Sequence, residues 1–157
     1  MNEKKGTISI HAQNIMPIIK KWLYSDKDIF VRELVSNGCD AIAKFKLLVS
    51  RGEATAAPDE NYAVYIEVDK ENKTLRFIDN GVGMTADEVE KYITQVAFSG
   101  ATEFIEKYQN DKEGGNGIIG HFGLGFYSAF MAAEKVHIDT LSWQEGATPV
   151  RWVSSDG

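Results

Sequence analysis

Four residues of the stretch "ELVSNGCDAIAK" are of types that can act together. At about 100° per residue, Glu33, Asn37, Asp40 and Lys44 fall within about 60° of one another on a helix. Phe30, Leu34, Ala41 and Leu48 lie beside that stripe, and Val31, Val35, Gly38, Ile42 and Val49 continue the apolar arc. The stripe therefore borders the buried face. Any amphipathic helix has such a boundary, often polar. Here the boundary also carries Asn37, which competes for backbone hydrogen bonds inside a helix, and Gly38, which costs about 1 kcal/mol against Ala. That combination points to close approach by a ligand. The matching chemistry is hydrolysis of a metal-bound phosphate. A hard cation such as Mg²⁺ takes oxygen ligands and keeps several waters. An Asn oxygen supplies one ligand without repelling phosphate, and a carboxylate one turn away, Glu33, can accept a proton from attacking water.

Two further segments can complete a site. "DNGVGM" ends a strand-like run, so Asp79 would be delivered into a pocket where its carboxylate can accept from an exocyclic amine. Gly81 and Gly83 would let the backbone bend and approach a flat ligand; a plain Asn-Gly turn has the same letters. "GHFGLGF" precedes the helix-like "YSAFMAA", and glycines before a helix N-terminus expose N–H groups suited to phosphate. Its spacing matches neither a Walker loop nor a Rossmann fingerprint. Gly114, Gly115, Gly117, Gly120, Gly123 and Gly125, with Gly100 just before them, read as a hinged segment, either a lid or an ordinary loop.

The elements that must position these groups are legible in outline. "GTISI" reads as a short strand, and "NIMPIIKKWLY" has helical spacing with Pro17 in its first turn. "SDKD" offers N-cap residues for a long helix over residues 28–50 that Gly52 can close. "YAVYIEV" and "KTLRFID" form a hairpin across "DKENK". Thr85 and Glu88 make a capping box for a helix through "ADEVEKYIT"; a further helix runs from Ala101, and another covers "YSAFMAAEK". "VHIDTLSW" and "VRWVSS" read as strands. Trp22, Trp143 and Trp152 are expected in the core or on a sheet face. His11, His121 and His137 lack metal spacing, and Cys39 lies off the stripe without a base partner.

The 157 residues suit one domain, with 43% hydrophobic and 25% charged residues. A net charge of −6 and a pI near 5.1 argue against nucleic acid or anionic membranes as partners. A single cysteine fits a reducing compartment, and no apolar run approaches ~20 residues, so a cytoplasmic protein is expected.

The order of the motifs is more specific than any one of them: E-x-x-x-N-x-x-D on a helix, then D-x-G-x-G, then G-x-x-G-x-G-F before a helix. This order resembles the Bergerat-type nucleotide pocket shared by gyrase, histidine kinases, the mismatch-repair protein MutL and the heat-shock protein 90 chaperones. "LYSDKDIFVRELVSNGCDAIAKFK", "DNGVGMT", "SGATEF" and "IGHFGLGFYSAF" are most similar to the last group, and the likeness spans residues 7–153. It implies an α+β fold, a two-layer α/β sandwich whose mixed, mainly antiparallel sheet has helices on one face. Residues 1–157 would form an N-terminal ATP-binding domain, with the last strands and the middle and C-terminal domains lying beyond this sequence.

The likeness also implies roles. Glu33 would be the general base, Asn37 a Mg²⁺ and phosphate ligand, and Asp79 the acceptor for the adenine amino group. Gly83 and Met84 would line the base pocket, and Asp40 and Lys44 would lie near ribose or the pocket mouth. Gly123, Gly125 and Phe126 would offer N–H groups to phosphate, and residues 100–125 would form the ATP lid. Cofactors would be ATP or ADP with Mg²⁺; partners would be client proteins and a second copy in a homodimer joined through residues 1–22. Tyr92 and Phe98 depart from the asparagine and lysine usual in the family. With the arginine of the middle domain outside the sequence, binding should exceed hydrolysis. The alternatives are a DNA-acting ATPase of the same pocket type and a non-catalytic domain with a degenerate pocket.

Overall fold

The computed structural model describes residues 2–5, 28–58, 60–95 and 125–155. The elements, in chain order, are β1 (Asn2–Lys5), α1 (Ile29–Ser50), β2 (Val64–Asp69), β3 (Thr74–Asp79), α2 (Ala86–Val89), a π-helical turn (Glu90–Gln95), a 3-10 helix (Gly125–Met131), β4 (Val136–Thr140) and β5 (Val150–Ser154). The described residues thus combine helices with sheet pairings that are mostly antiparallel, an α+β composition. β2 and β3 form an antiparallel hairpin, whereas β5 is the centre of a second sheet, parallel to β1 and antiparallel to β4.

The long helix runs where its periodicity places it. Asp28 stands at the N-cap, but its side chain makes no capping hydrogen bond. Beyond the C-terminus Gly52 adopts φ +74°, the left-handed conformation that releases the chain from the helix. The alternation of a strand places Phe77 and Asp79 on one face of β3, opposite Ile66 and Val64 of β2, and this is the face that meets α1. Phe30 meets Phe77 edge-on at 6.4 Å between ring centroids. Further along, Phe45 packs against Tyr62, whose ring also lies under the Lys46 ammonium at 5.0 Å. The hairpin's far end keeps Ile66, Val68 and Leu75 exposed.

Gly38 is buried because the hairpin comes down on it. A Cβ there would stand 2.9 Å from Val64 Cγ2 and 3.4 Å from Asp79 Cβ. The expectation of a ligand at Gly38 is thereby corrected, since the close neighbour is the protein's own strand pair.

The second sheet carries deeply buried side chains on one face. Val150, Trp152 and Ser154 are buried, alternating with the less buried Arg151 and Val153. Phe126 of the 3-10 helix stacks edge-on against both Trp152 (5.8 Å) and Phe130 (6.0 Å), so this short helix bridges β5 and α1, against which it also packs. On the other side of β5, Arg151 donates from Nε to Asp139 Oδ1 (2.6 Å) and from a terminal nitrogen to Oδ2 (3.0 Å). Among the described residues, no buried side-chain nitrogen or oxygen lacks a partner.

Several expected elements change form. The capping box at Thr85 and Glu88 is present, but α2 lasts one turn before passing into the π-helical turn. The helix expected over 127–135 is a 3-10 helix that starts at Gly125 and stops at Met131. The strand expected over 136–143 ends at Thr140, because the next residues bond elsewhere. β1 was not anticipated, and "GTISI", the 14–24 helix and the helix from Ala101 lie outside the described residues. Trp152 is buried as expected, whereas Trp143 is 37% exposed; Trp22 lies outside the described residues.

Two stability predictions follow from this packing. A Cβ at Gly81 would overlap Ala41 and the amide of Ile42, backbone that cannot swing aside, so Gly81→Ala is expected to cost about 2–3 kcal/mol. Gly52→Ala meets open space and costs only the left-handed backbone, about 1 kcal/mol; urea midpoints of the two variants give the comparison. The Arg151 guanidinium holds the Asp139 carboxyl below its ordinary range, chiefly by hydrogen bonding. A depressed folded pKa means stability that is present above the unfolded value, about 3.9, and lost as pH falls through the folded one. Asp139→Asn should therefore flatten that acid limb of the stability–pH curve. At pH 7 it should cost well under ~1 kcal/mol, because both side chains are more than one-third exposed.

Candidate functional site

The site assembles around the turn that leaves β3. Asp79 is the last residue of β3, and its Oδ1 accepts from the Gly81 N–H at 2.9 Å, closing an Asx turn. That bond fixes the carboxylate's rotamer. Among the described residues Oδ2 has no protein partner, and Asp79 is exposed, so one oxygen remains to accept from a ligand.

Asn80 fastens the same turn from the other direction. Its side-chain nitrogen donates to Asn61 O (2.7 Å) and Glu60 Oε1 (2.5 Å), and its oxygen accepts from Ala63 N (3.1 Å). All three partners lie in the segment that enters β2, so Asn80 ties the two ends of the hairpin together behind Asp79. The Asn-Gly pair signalled a turn in the sequence; nothing local signalled these distant partners.

From Asp79 the chain runs along α1. Asp79 lies against Gly38, and Val82 N donates to Ala41 O at 3.1 Å, three residues further along the helix. Gly81 sits where a side chain would strike Ala41. The turn then leaves the helix: Gly83 has φ +63°, and a Cβ there would overlap the Leu141 carbonyl. The close approach expected at these glycines is made by protein on both sides.

Helical geometry relates the stripe to this turn. Ala41 is about 40° round α1 from Asn37, and Gly38 about 100°. The turn therefore covers the face next to Asn37, with Asn37, Asp40 and Lys44 exposed along its margin and Glu33 half-buried one turn before Asn37. Glu33, Asn37, Asp40 and Lys44 thus run as a strip along α1, beside the face on which the turn that carries Asp79 docks. Gly83 and Met84 are half-buried at the end of that turn, where Met84 N donates to Thr140 Oγ1.

The phosphate-side residues are placed less fully. Gly125 opens the 3-10 helix, and the ring of Phe126 packs against Trp152 and Phe130. Gly123, Phe98 and residues 100–124 lie outside the described residues, and Tyr92 is placed by its backbone alone, inside the π-helical turn.

As a metal site the strip offers hard oxygen donors. Among the described residues, no three of His, Cys, Asp and Glu gather closely enough to cage an ion. One amide oxygen and nearby carboxylates fit Mg²⁺, which takes few protein ligands and shares its shell with substrate phosphates. Among the described residues, no helix is long and apolar enough to cross a membrane.

Comparison with known proteins places the chain in a family. Residues 24–155 match the family model for the histidine kinase-, DNA gyrase B- and HSP90-like ATPases. The chain is 54% identical over 154 residues to the chaperone protein HtpG of Porphyromonas gingivalis, covering 98% of this chain and 22% of that protein. It is 52% identical over 149 residues to HtpG of Bacteroides fragilis, covering 95% and 21%. It is 40% identical over 155 residues to HtpG of Francisella tularensis, covering 98% and 25%. The chain thus spans about a fifth to a quarter of the length of these relatives. An asparagine-bearing helix edged by a glycine turn, and a family match over most of the sequence, lead to one conclusion: the chain belongs to the histidine kinase-, DNA gyrase B- and HSP90-like ATPases, on the side of the HtpG chaperones.

Proposed function

We propose that this chain is the ATP-binding and ATP-hydrolysing domain of a cytoplasmic chaperone of the heat-shock protein 90 type. The observation that carries the reading is the docking of the Asp79 turn on α1, with Asp79 against Gly38 and Val82 bonded to Ala41. This brings a carboxylate suited to an adenine amine beside an Asn–Glu pair suited to metal-bound phosphate. The HtpG likeness favours a chaperone over a DNA-acting ATPase, as does the net charge of −6.

In this reading Asp79 Oδ2 accepts from the adenine amino group while Oδ1 stays bonded to Gly81. Gly83 and Met84 border the base, and Asp40 and Lys44 lie toward the ribose. Asn37 offers its oxygen to Mg²⁺, and Gly123, Gly125 and Phe126 offer N–H groups to phosphate. Mg²⁺ held with ATP at Asn37 would supply positive charge to neutralise the phosphates. Glu33 holds the attacking water and takes its proton. The full architecture would be the two-layer sandwich of the family, with residues 100–125 as lid. Lid closure would promote dimerisation of the whole protein and couple hydrolysis to the handling of client proteins.

Two substitutions test the roles. Glu33→Ala should lower ATP turnover at least about 100-fold while ADP affinity stays within about twofold. Asp79→Asn should weaken ADP binding at least about tenfold, since it removes the charged acceptor and leaves an amide facing an amine. Turnover by steady-state phosphate release and affinity by calorimetry, both with Mg²⁺, give the two readouts. Equal loss of affinity in both variants contradicts the division of labour, and absence of ADP binding by the unsubstituted chain contradicts the function.

A further inference from the structure

Thr140 ends β4 on its core-facing side, in line with Val136 and Ile138, and pairs with the buried Val150 of β5. A half-buried hydroxyl on such a face needs a partner. It finds one 56 residues earlier in the chain: Thr140 Oγ1 accepts from Met84 N at 2.9 Å. Past Thr140 the chain leaves β5 and turns onto the segment that follows Asp79. The Leu141 carbonyl fills the space beside Gly83, Trp143 N donates to Val82 O (2.8 Å), and Gln144 Nε2 donates to Glu88 Oε1 (3.0 Å). Glu88 Oε1 is also the acceptor that closes the capping box on Thr85 N.

The turn is thus gripped from two sides. On one, Val82 N is bonded to Ala41 O of α1; on the other, Val82 O is bonded to Trp143 N. Those are backbone bonds, open to any sequence that brings the chains together. The bond to Met84 is different because its acceptor is a side chain, and so depends on the residue at position 140.

We propose that Thr140 is a positioning residue of the nucleotide site. Its hydroxyl fixes Met84, and through Met84 the end of the Asp79–Met84 turn, relative to the second sheet. The inference deepens the nucleotide reading above and rests on it. Thr140 touches no ligand in this scheme; it acts through the backbone of Met84. It also makes the end of β4 a mechanical link between the β5 ladder and the base side of the site.

Valine matches threonine in shape and suits a strand, so Thr140→Val removes the acceptor with little else; Thr140→Ser restores it. In T140V the Met84 amide should exchange with solvent about tenfold faster, whereas amides of the Val150–Ser154 ladder keep their rates. ADP affinity, measured by calorimetry with Mg²⁺, should fall about three- to tenfold, the range for one neutral hydrogen bond. T140S should bring both back toward the unsubstituted values. Should T140V fail to fold, T140A takes its place in the same comparison with T140S. Unchanged ADP affinity in the variant, or a T140S as weak as T140V, overturns the proposal. Absence of ADP binding by the unsubstituted chain overturns the nucleotide reading and this proposal with it. That failure is told apart by the Met84 amide, whose response to substitution needs no nucleotide.

Discussion

The structure around the site depends on two stretches of backbone lying directly against each other, α1 at Gly38–Ala41 and the turn from Asp79 to Val82. Such contact requires that side chains be missing from the line of approach. Gly81 leaves room for Ala41, and Gly38 leaves room for Val64 and Asp79. The gap is closed by a hydrogen bond from Val82 N to Ala41 O, a carbonyl that already belongs to a helix. A carbonyl oxygen has two lone pairs, so it can serve the helix and the turn together. Gly38 costs the helix about 1 kcal/mol of propensity. The return is room for Val64 and Asp79 to lie against the segment that carries Asn37.

That placement is made rigid by bonds that do not involve α1. Asp79 is fixed by its own Asx turn, Asn80 by three partners at the entry to β2, and Met84 by the end of β4. The turn therefore stands at the meeting of the helix, the hairpin and the second sheet. Each element contributes something the others cannot: a carbonyl from α1, a strand end that aims Asp79, and an acceptor from β4. A carboxylate held by one oxygen, with the other open, has little rotamer freedom to lose on binding, which favours a ligand that needs one directed hydrogen bond.

What could be read from the sequence was what short-range chemistry decides. The extent of α1, the hairpin and the Thr85–Glu88 capping box each depend on residues within a few positions of one another, and each is present. The stripe of Glu33, Asn37, Asp40 and Lys44 was legible for the same reason, since helical spacing alone sets it. The purpose of the glycines was not. Gly38, Gly81 and Gly83 read as room for a ligand, and their neighbours are Val64, Ala41 and Leu141, up to 58 residues away in the chain. β4 was read three residues too long because "LSW" has strand-like letters, and the hydrogen bond that draws Trp143 to Val82 is tertiary. Trp143 lies on that strap and is part exposed, whereas Trp152 alternates into the core as its strand pattern requires.

Charge sets the last constraint on the proposed site. The strip holds Glu33, Asp40 and Asp79 against Lys44 alone, within a chain of net charge −6. A triphosphate approaching those carboxylates unaided meets repulsion, so its charge must be met by groups that are not basic side chains. Backbone N–H groups supply part of that at no cost in net charge. In the proposed reading a divalent cation would supply the rest, and Asn37 would suit it because an amide oxygen binds metal without adding a fourth negative charge to the strip. The same balance would favour the base for recognition, since a neutral base could be gripped by Asp79 without any counter-ion. The proposed division of the site into a carboxylate for the base and an amide for the metal is thus what the electrostatics of an acidic chain would select.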